Sequence, residues 1–400
     1  MKDNASTLPI KERFHLPNGV IYLDGNSLGP LPKGTAARVQ QVLEAEWGEN
    51  LITGWNKDGW MEQPARVGNR IARLIGAPDE SVTMGDTLSV KVYQALSAAL
   101  KMRPDRRVVL SDSGNFPSDL YMAQGLIQQL EQGYELRVVA PEEVEGAMDE
   151  TVAVAMITQV DYRTGRMHDM DKITSAAQTA GAVMLWDLAH SAGAVPVDLK
   201  ASNCEFAVGC TYKYLNGGPG APAFIYARED VSEFLQPALD CWLGHDAPFA
   251  FEPDYRPAPG IARMRVGTPP VMQMTALEHA LTVWDGVEMT ALRDASISLC
   301  ELFIEEVERR CPVLTLASPR NSAERGSQVS FAFEHGYAAV QALIHRGVIG
   351  DFRAPNIMRF GFTPLYIDEA DVRAAVDVLA DVIGNRLWDN PQYHKKALVT

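Results

Sequence analysis

One lysine is set where an amine could act as a nucleophile. Lys213 follows the apolar run Phe206-Ala207-Val208-Gly209-Cys210 and leads at once into Asn216-Gly217-Gly218-Pro219-Gly220. The run before it reads as a short buried strand, and Ala221 to Tyr226 reads as another. A lysine held there can be partly desolvated, which lowers its pKa and makes its amine a nucleophile toward carbonyls. Standing alone, it reads as a lysine in a surface loop. The pattern 26 residues earlier changes that balance. Gly181 to Trp186 is a buried-strand pattern ending in Asp187-Leu188-Ala189-His190. An Asp at the carboxyl end of a strand in an open α/β sheet sits where ligands bind. By itself Asp187 could equally cap a helix. A carboxylate that can pair with a protonated pyridine nitrogen, together with a Schiff-base lysine, is the minimum that pyridoxal phosphate (PLP) asks of a protein. Asp187, His190 and Lys213 in this order, each at a strand end, are hard to obtain by accident.

Several other stretches carry residues suited to a flat, phosphorylated cofactor. Gly85-Asp86-Thr87-Leu88-Ser89-Val90 opens a helix, where free N–H groups and the helix dipole favour phosphate; a capping motif with no ligand is the commoner use. Phe116 lies on a strand-exit loop, Ser111 to Asp119, from which an aromatic ring can stack on a flat ring. Thr158 ends the run Val152 to Thr158 with a hydroxyl. Trp55 and Trp60, in a glycine-flanked loop, are either a core plug or an aromatic wall for a ligand. Ile21 to Pro30 is a short extended piece followed by turn formers. Arg359, inside the apolar run Met358 to Phe362, either snorkels to the surface or is buried with an anion such as a substrate carboxylate.

The elements that must position these residues alternate. Strands are expected at 107–110, 136–140, 152–158, 181–186 and 206–210, and helices at 64–75, 90–100, 120–130 and 169–180. This order implies a mostly parallel sheet with helices on both faces. The carboxyl-end loops then converge on one site. After the sheet comes a long loop from Leu243 to Pro259, of a length usually kept for function. Helices follow at 271–284 and 287–310, then strands at 328–333 and 358–362 mixed with helices at 337–346 and 369–383. The division expected is an N-terminal arm and helix (1–45) packing with the small domain, a large domain (46–289), and a small α+β domain (290–400).

Composition narrows the classes of function. The 400 residues carry a net charge of −15, with 46% apolar and 22% charged residues, as in an ordinary soluble globular protein. No basic cluster stands out, which argues against nucleic acid as a partner. The five cysteines form no C-x-x-C pair, so neither a disulfide framework nor a zinc knuckle is expected, and a reducing compartment is the simplest home. Residues 1–6 show no apolar core of a signal peptide, and no run approaches the length of a membrane span.

The chain resembles the kynureninases, PLP enzymes of fold type I in the class V aminotransferase group. The resemblance covers nearly the whole chain. It rests on Leu23 to Gly29, Asn115 to Asp119, Trp186 to His190, Thr211 to Gly220, and Arg265 to Pro270. The lysine and aspartate blocks indicate the superfamily, whereas Tyr212-Lys213-Tyr214-Leu215-Asn216-Gly217-Gly218 with Gly25-Asn26-Ser27-Leu28-Gly29 are much more specific. The resemblance implies a large domain with a mostly parallel seven-stranded sheet and a smaller C-terminal α+β domain. It implies hydrolysis of L-kynurenine to anthranilate and L-alanine in tryptophan degradation. Lys213 would hold PLP as a Schiff base and move protons, Asp187 would pair with the pyridine nitrogen, and Phe116 would stack on the ring. Leu88 and Ser89 would present the phosphate-binding helix start. Pro117 and Ser118 lie in the Phe116 block, and Asp119, Thr158, His190 and Tyr212 would complete the cofactor shell. Tyr212 is also a candidate for proton transfer at the substrate carbonyl, or else binds only phosphate. Trp242 and Thr268 match positions that reach the phosphate from a neighbouring subunit, which implies a homodimer. Arg359 matches the arginine for the α-carboxylate, and Asn26, Ser27 and Trp55 match the pocket for the aromatic end. Thr268 and Trp55 look bacterial rather than animal, so a preference for L-kynurenine over its 3-hydroxy derivative is expected. A cytoplasmic enzyme is expected. The rival readings are a cysteine desulfurase, an aminotransferase, or a non-catalytic protein of the same fold. The first needs a cysteine on a mobile loop, whereas Cys300 and Cys311 fall in or at the end of an expected helix.

Overall fold

A computed structural model describes residues 8–395. Residues 1–6, read above for a signal peptide, lie outside the described residues. At the centre is a seven-stranded sheet. Its strands are β1 (Val82–Met84), β2 (Val108–Asp112), β3 (Glu135–Val139), β4 (Val152–Thr158), β5 (Val183–Asp187), β6 (Phe206–Gly209) and β7 (Phe224–Ala227), in the order β1-β7-β6-β5-β4-β2-β3. Only β7 runs antiparallel to its neighbours. The reason is local. The chain returns from β6 through the glycine-rich turn, with no crossover helix, and Phe224 pairs back onto Gly209. β4, β5 and β6 are buried along their whole length, as expected of strands covered on both faces.

Helices cover the two faces. Leu88–Lys101 and Pro117–Leu130 pack on one, around Val92, Leu96, Val154 and Leu185; Gln63–Leu74 and Met170–Thr179 contribute to the core on the other, around Ile71, Ile157 and Trp186. Asp169, where the expected helix begins, caps Met170–Thr179 by accepting from the Lys172 N–H at 3.0 Å.

The C-terminal part holds a second sheet of β8 (Thr315–Leu316), β9 (Gln328–Ala332), β10 (Asp351–Arg353) and β11 (Ile357–Gly361), ordered β8-β9-β11-β10 and antiparallel throughout. Helices Met289–Arg310, Gly336–His345 and Glu369–Gly384 complete its core. Cys300 and Cys311 are buried there. The N-terminal segment is built into this part: Ile21–Tyr22 pairs in parallel with Val348–Ile349, and Gly361 N–H donates to Leu23 O at 2.7 Å. No helix among the described residues is long and apolar enough to cross a membrane.

Candidate active site

The carboxyl ends of β1, β2, β4, β5 and β6 share one edge of the sheet, and a cavity of about 570 Å³ opens there. Asn26, Ser27, Leu88, Ser89, Phe116, Ser118, Thr158, Asp187, His190, Tyr212, Lys213 and Arg359 all line it. Thr158 and Asp187 are register partners at the ends of β4 and β5, which places the hydroxyl beside the carboxylate, 3.5 Å from Oδ2. The other carboxylate oxygen accepts from Ala189 N–H at 2.8 Å. Burial raises the Asp187 carboxyl above its usual range, against the pull of Lys213, Ala189 and Thr158.

Lys213 sits four residues past the end of β6. Its amine lies 3.0 Å from His190 Nε2, and 6.0 and 5.8 Å from the ring centroids of Phe116 and Tyr212. The His190 pKa is held well below its ordinary value, first by burial and then by Lys213, Arg359 and Arg353. The imidazole is therefore neutral. Its Nε2 is within hydrogen-bonding distance of the lysine amine, and its Nδ1 has no partner. Both oxygens of buried Asp119 are also without partners. Burial, and then the charge of Asp187, raise its carboxyl well above the usual range. The Tyr212 hydroxyl is pushed up by the Cys210 thiol beside it and then by burial.

The lysine loop is fixed from two sides. Asn216 adopts φ +58, and Gly218 and Gly220 adopt φ +85 and +77, which bends the chain back toward β7. On the other side Gly29 N–H donates to Tyr212 O at 2.8 Å. A side chain at Gly29 would stand 2.3 Å from Lys213 O and 2.7 Å from Asn216 Cα, so only glycine admits this approach.

At the far wall, Arg359 is fully buried. Asp351 faces it across β10 and β11 and accepts from Nε at 2.6 Å and from Nη2; Nη2 also reaches Ser27 Oγ at 2.9 Å, and Nη1 reaches Tyr162 O. The arginine ligates a carboxylate of its own chain, which holds Asp351 below the usual carboxylate range.

Ser27 lines the cavity at the arginine corner, donating to Asp351 Oδ2 at 2.6 Å. Some expected residues lie elsewhere. Trp55 packs edge-on against Trp60, 5.6 Å between centroids, and does not line the cavity. Of the two readings of this pair, the structure favours packing. Trp242 packs on Phe249 outside the cavity, and Thr268 is exposed. Pro117 begins the helix after Phe116 and does not line the cavity, and Asp119 stands behind the wall. Tyr162 and Arg353 line the cavity although nothing in the sequence singled them out, and so do Thr87 and Cys210, which stood only within longer stretches.

The chain is 51% identical over 399 residues to the kynureninase of Burkholderia mallei, covering 98% of this chain and 96% of that one. The chain belongs to the kynureninase family. It is 49% identical over 402 residues to the Pseudomonas fluorescens kynureninase, with 99% and 97% covered, and residues 292–379 match the kynureninase C-terminal domain. Among solved structures it is similar to a cysteine desulfurase from Thermococcus onnurineus, with TM-score 0.80, 17% identity, and 95% and 99% covered. It is equally similar to a mutant of C-DES with glycine covalently linked to its PLP cofactor, with TM-score 0.80, 17% identity, and 93% and 99% covered. These likenesses show the shared fold, fold type I. The kynureninase family is PLP-dependent, and the cavity fits that cofactor. It offers one lysine amine, a buried carboxylate at a strand end, a helix start with unpaired N–H groups, and an orphaned ring nitrogen on His190 that a polar ligand would satisfy.

Proposed function

We propose that this kynureninase-family enzyme hydrolyses L-kynurenine to anthranilate and L-alanine, using the residues gathered around Lys213. The observation that carries the site reading is the Lys213–His190 contact of 3.0 Å beside Asp187 at the end of β5. PLP would be held by Lys213, with Asp187 against its pyridine nitrogen, Phe116 on its ring face, and Leu88 and Ser89 at its phosphate; when bound it draws electrons from the substrate's α-carbon.

The chain's own groups do the rest. Lys213 takes the proton from the α-carbon, and the neutral His190 beside it accepts a hydrogen bond without competing as a cation. Arg359 receives the α-carboxylate. Tyr212, whose raised pKa keeps the phenol protonated, donates to the γ-carbonyl oxygen while water adds to that carbon. The Cβ–Cγ bond then breaks. The water oxygen leaves in the carboxylate of anthranilate, and the three-carbon fragment is protonated to alanine.

The active enzyme is a cytoplasmic homodimer in this reading, with the arm-and-helix, large and small domains divided near residues 45 and 289. Trp242 and Thr268 serve the neighbouring subunit's cofactor, which accords with their lying outside the cavity of their own chain. Preference for L-kynurenine over its 3-hydroxy derivative belongs to the same reading and rests on Trp55 and Thr268. Equal or better kcat/KM on the hydroxylated substrate would overturn it.

The test is one cuvette. The purified holoenzyme should be yellow and should release fluorescent anthranilate from L-kynurenine, and Lys213→Ala should lose both properties. A yellow protein that releases none would sink the substrate assignment. Tyr212→Phe should lower kcat; an unchanged kcat would leave the tyrosine a phosphate ligand only.

A further inference from the structure

Arg359 has few donors left for a substrate. A guanidinium carries five N–H groups. Nε gives its one to Asp351 Oδ1, Nη2 gives two to Asp351 Oδ2 and Ser27 Oγ, and Nη1 gives one to Tyr162 O. One N–H remains, too few for the two-point grip by which arginine recognises a carboxylate.

A second arginine stands in the same corner. Arg353 lies two residues along β10 from Asp351 and so on the same face of the sheet. Its Nη2 is 2.8 Å from Asp351 Oδ2 and 3.4 Å from Ser27 Oγ, and its Nη1 donates to Phe352 O at 2.9 Å. Nε and one further N–H have no partner among the described residues. Its side chain is 34% exposed and lines the cavity, whereas that of Arg359 is 2% exposed. Two guanidiniums thus share one firmly ionised carboxylate, and the corner presents an uncompensated positive charge to the cavity. Asp24, whose charge also reaches both guanidiniums, is pushed up to about 7, first by burial and then by Asp351, so the excess positive charge is fullest below that pH. His190, facing the same space, adds no charge.

We propose that Arg353 is the second guanidinium of a carboxylate clamp. It takes one oxygen of the substrate's α-carboxylate, while Arg359, braced by Asp351 and Ser27, takes the other. The clamp rests on the reading above that this corner receives the carboxylate. It makes Arg353 a specificity residue, selecting free amino acids over their amides and esters.

The test compares L-kynurenine with its α-carboxamide on the holoenzyme, as the ratio of their kcat/KM values. Arg353→Met should lower that ratio about 10- to 100-fold, mostly through KM on the acid. Arg353→Gln should do the same where the Met variant does not fold. Cofactor absorbance checks that the cavity is intact. An unchanged ratio, even with both substrates slowed, would make Arg353 only a brace for Asp351 and overturn the clamp. Arg359→Lys separates the two readings. A ratio that collapses in Arg359→Lys but holds in the Arg353 variants rejects Arg353 alone. A ratio that holds in all of them moves the carboxylate out of this corner and rejects the parent reading too.

Discussion

Asp187 makes its case through what it lacks. Its Oδ1 accepts a backbone N–H and its Oδ2 has only the long Thr158 contact, so one oxygen can still accept from a protonated ring nitrogen. Asp187→Asn removes the charge that keeps that nitrogen protonated. It should lower kcat/KM about 10- to 150-fold, the worth of one hydrogen bond to a charged group, while Lys213 still binds cofactor. Retained activity with normal absorbance would assign the carboxylate a structural role. Asp24 makes a different prediction. Its carboxyl is pushed up to about 7, first by burial and then by the Asp351 charge. The unfolded chain loses that proton near pH 4 and the folded chain keeps it, so stability falls as pH rises from about 4 to 7. The penalty above that window is on the order of a few kcal/mol. Urea unfolding at about pH 5 and pH 8 should show a loss in the wild type that is much smaller in Asp24→Asn; equal losses would remove Asp24 from the account.

The elements show which residues the sequence could reveal. β4 and β5 were legible because fully buried parallel strands read as unbroken apolar runs, and their polar final residues, Thr158 and Asp187, stood out against them. Arg353 was not legible. Asp351-Phe352-Arg353 is only three residues long with charges at both ends, so it reads as loop. Its identity as a strand comes from pairing with β11, 4–8 residues further on. Trp55 stayed open between packing and a ligand wall because an aromatic in a glycine-flanked loop carries no sign of what it meets; within this chain it packs on Trp60. Gly29 belongs to this scale as well, since it joins the N-terminal segment to the lysine loop. Gly29→Ala would drive a methyl into Lys213 O and the Asn216 backbone. It should cost about 1–3 kcal/mol by overpacking and weaken cofactor retention, measured by dialysis. Unaltered stability and retention would show that the loop can yield.

For the whole molecule, large apolar side chains stand exposed where a monomer has no use for them. Phe249 and Phe251 are 61% and 77% exposed near Trp242, and Leu51 and Ile52 are 62% and 77% exposed. Sedimentation should give twice the 43.9 kDa chain mass. Trp242→Ala should weaken cofactor binding in an otherwise folded dimer, and a fully active monomer would refute the shared site. The mostly parallel sheet could be anticipated from the alternation of strands and helices, but its strand order could not. The antiparallel β7 could not, because its direction follows from a turn whose left-handed residues are ordinary glycines and an asparagine in the sequence.

The pairing of Ile21–Tyr22 with Val348–Ile349 also bears on how the protein is made. A ribosome adding about 5–20 residues per second exposes the first of these strands roughly 15 to 65 seconds before its partner exists. Through that interval the strands of the large sheet appear one after another, yet the segment carrying Asn26, Ser27 and Gly29 lacks the strand Val348–Ile349 that holds it against the lysine loop. The site is thus assembled last, from opposite ends of the message. Nascent chains stalled before Val348 should be cut by protease within residues 8–30, and chains released beyond Gly361 should not be cut there.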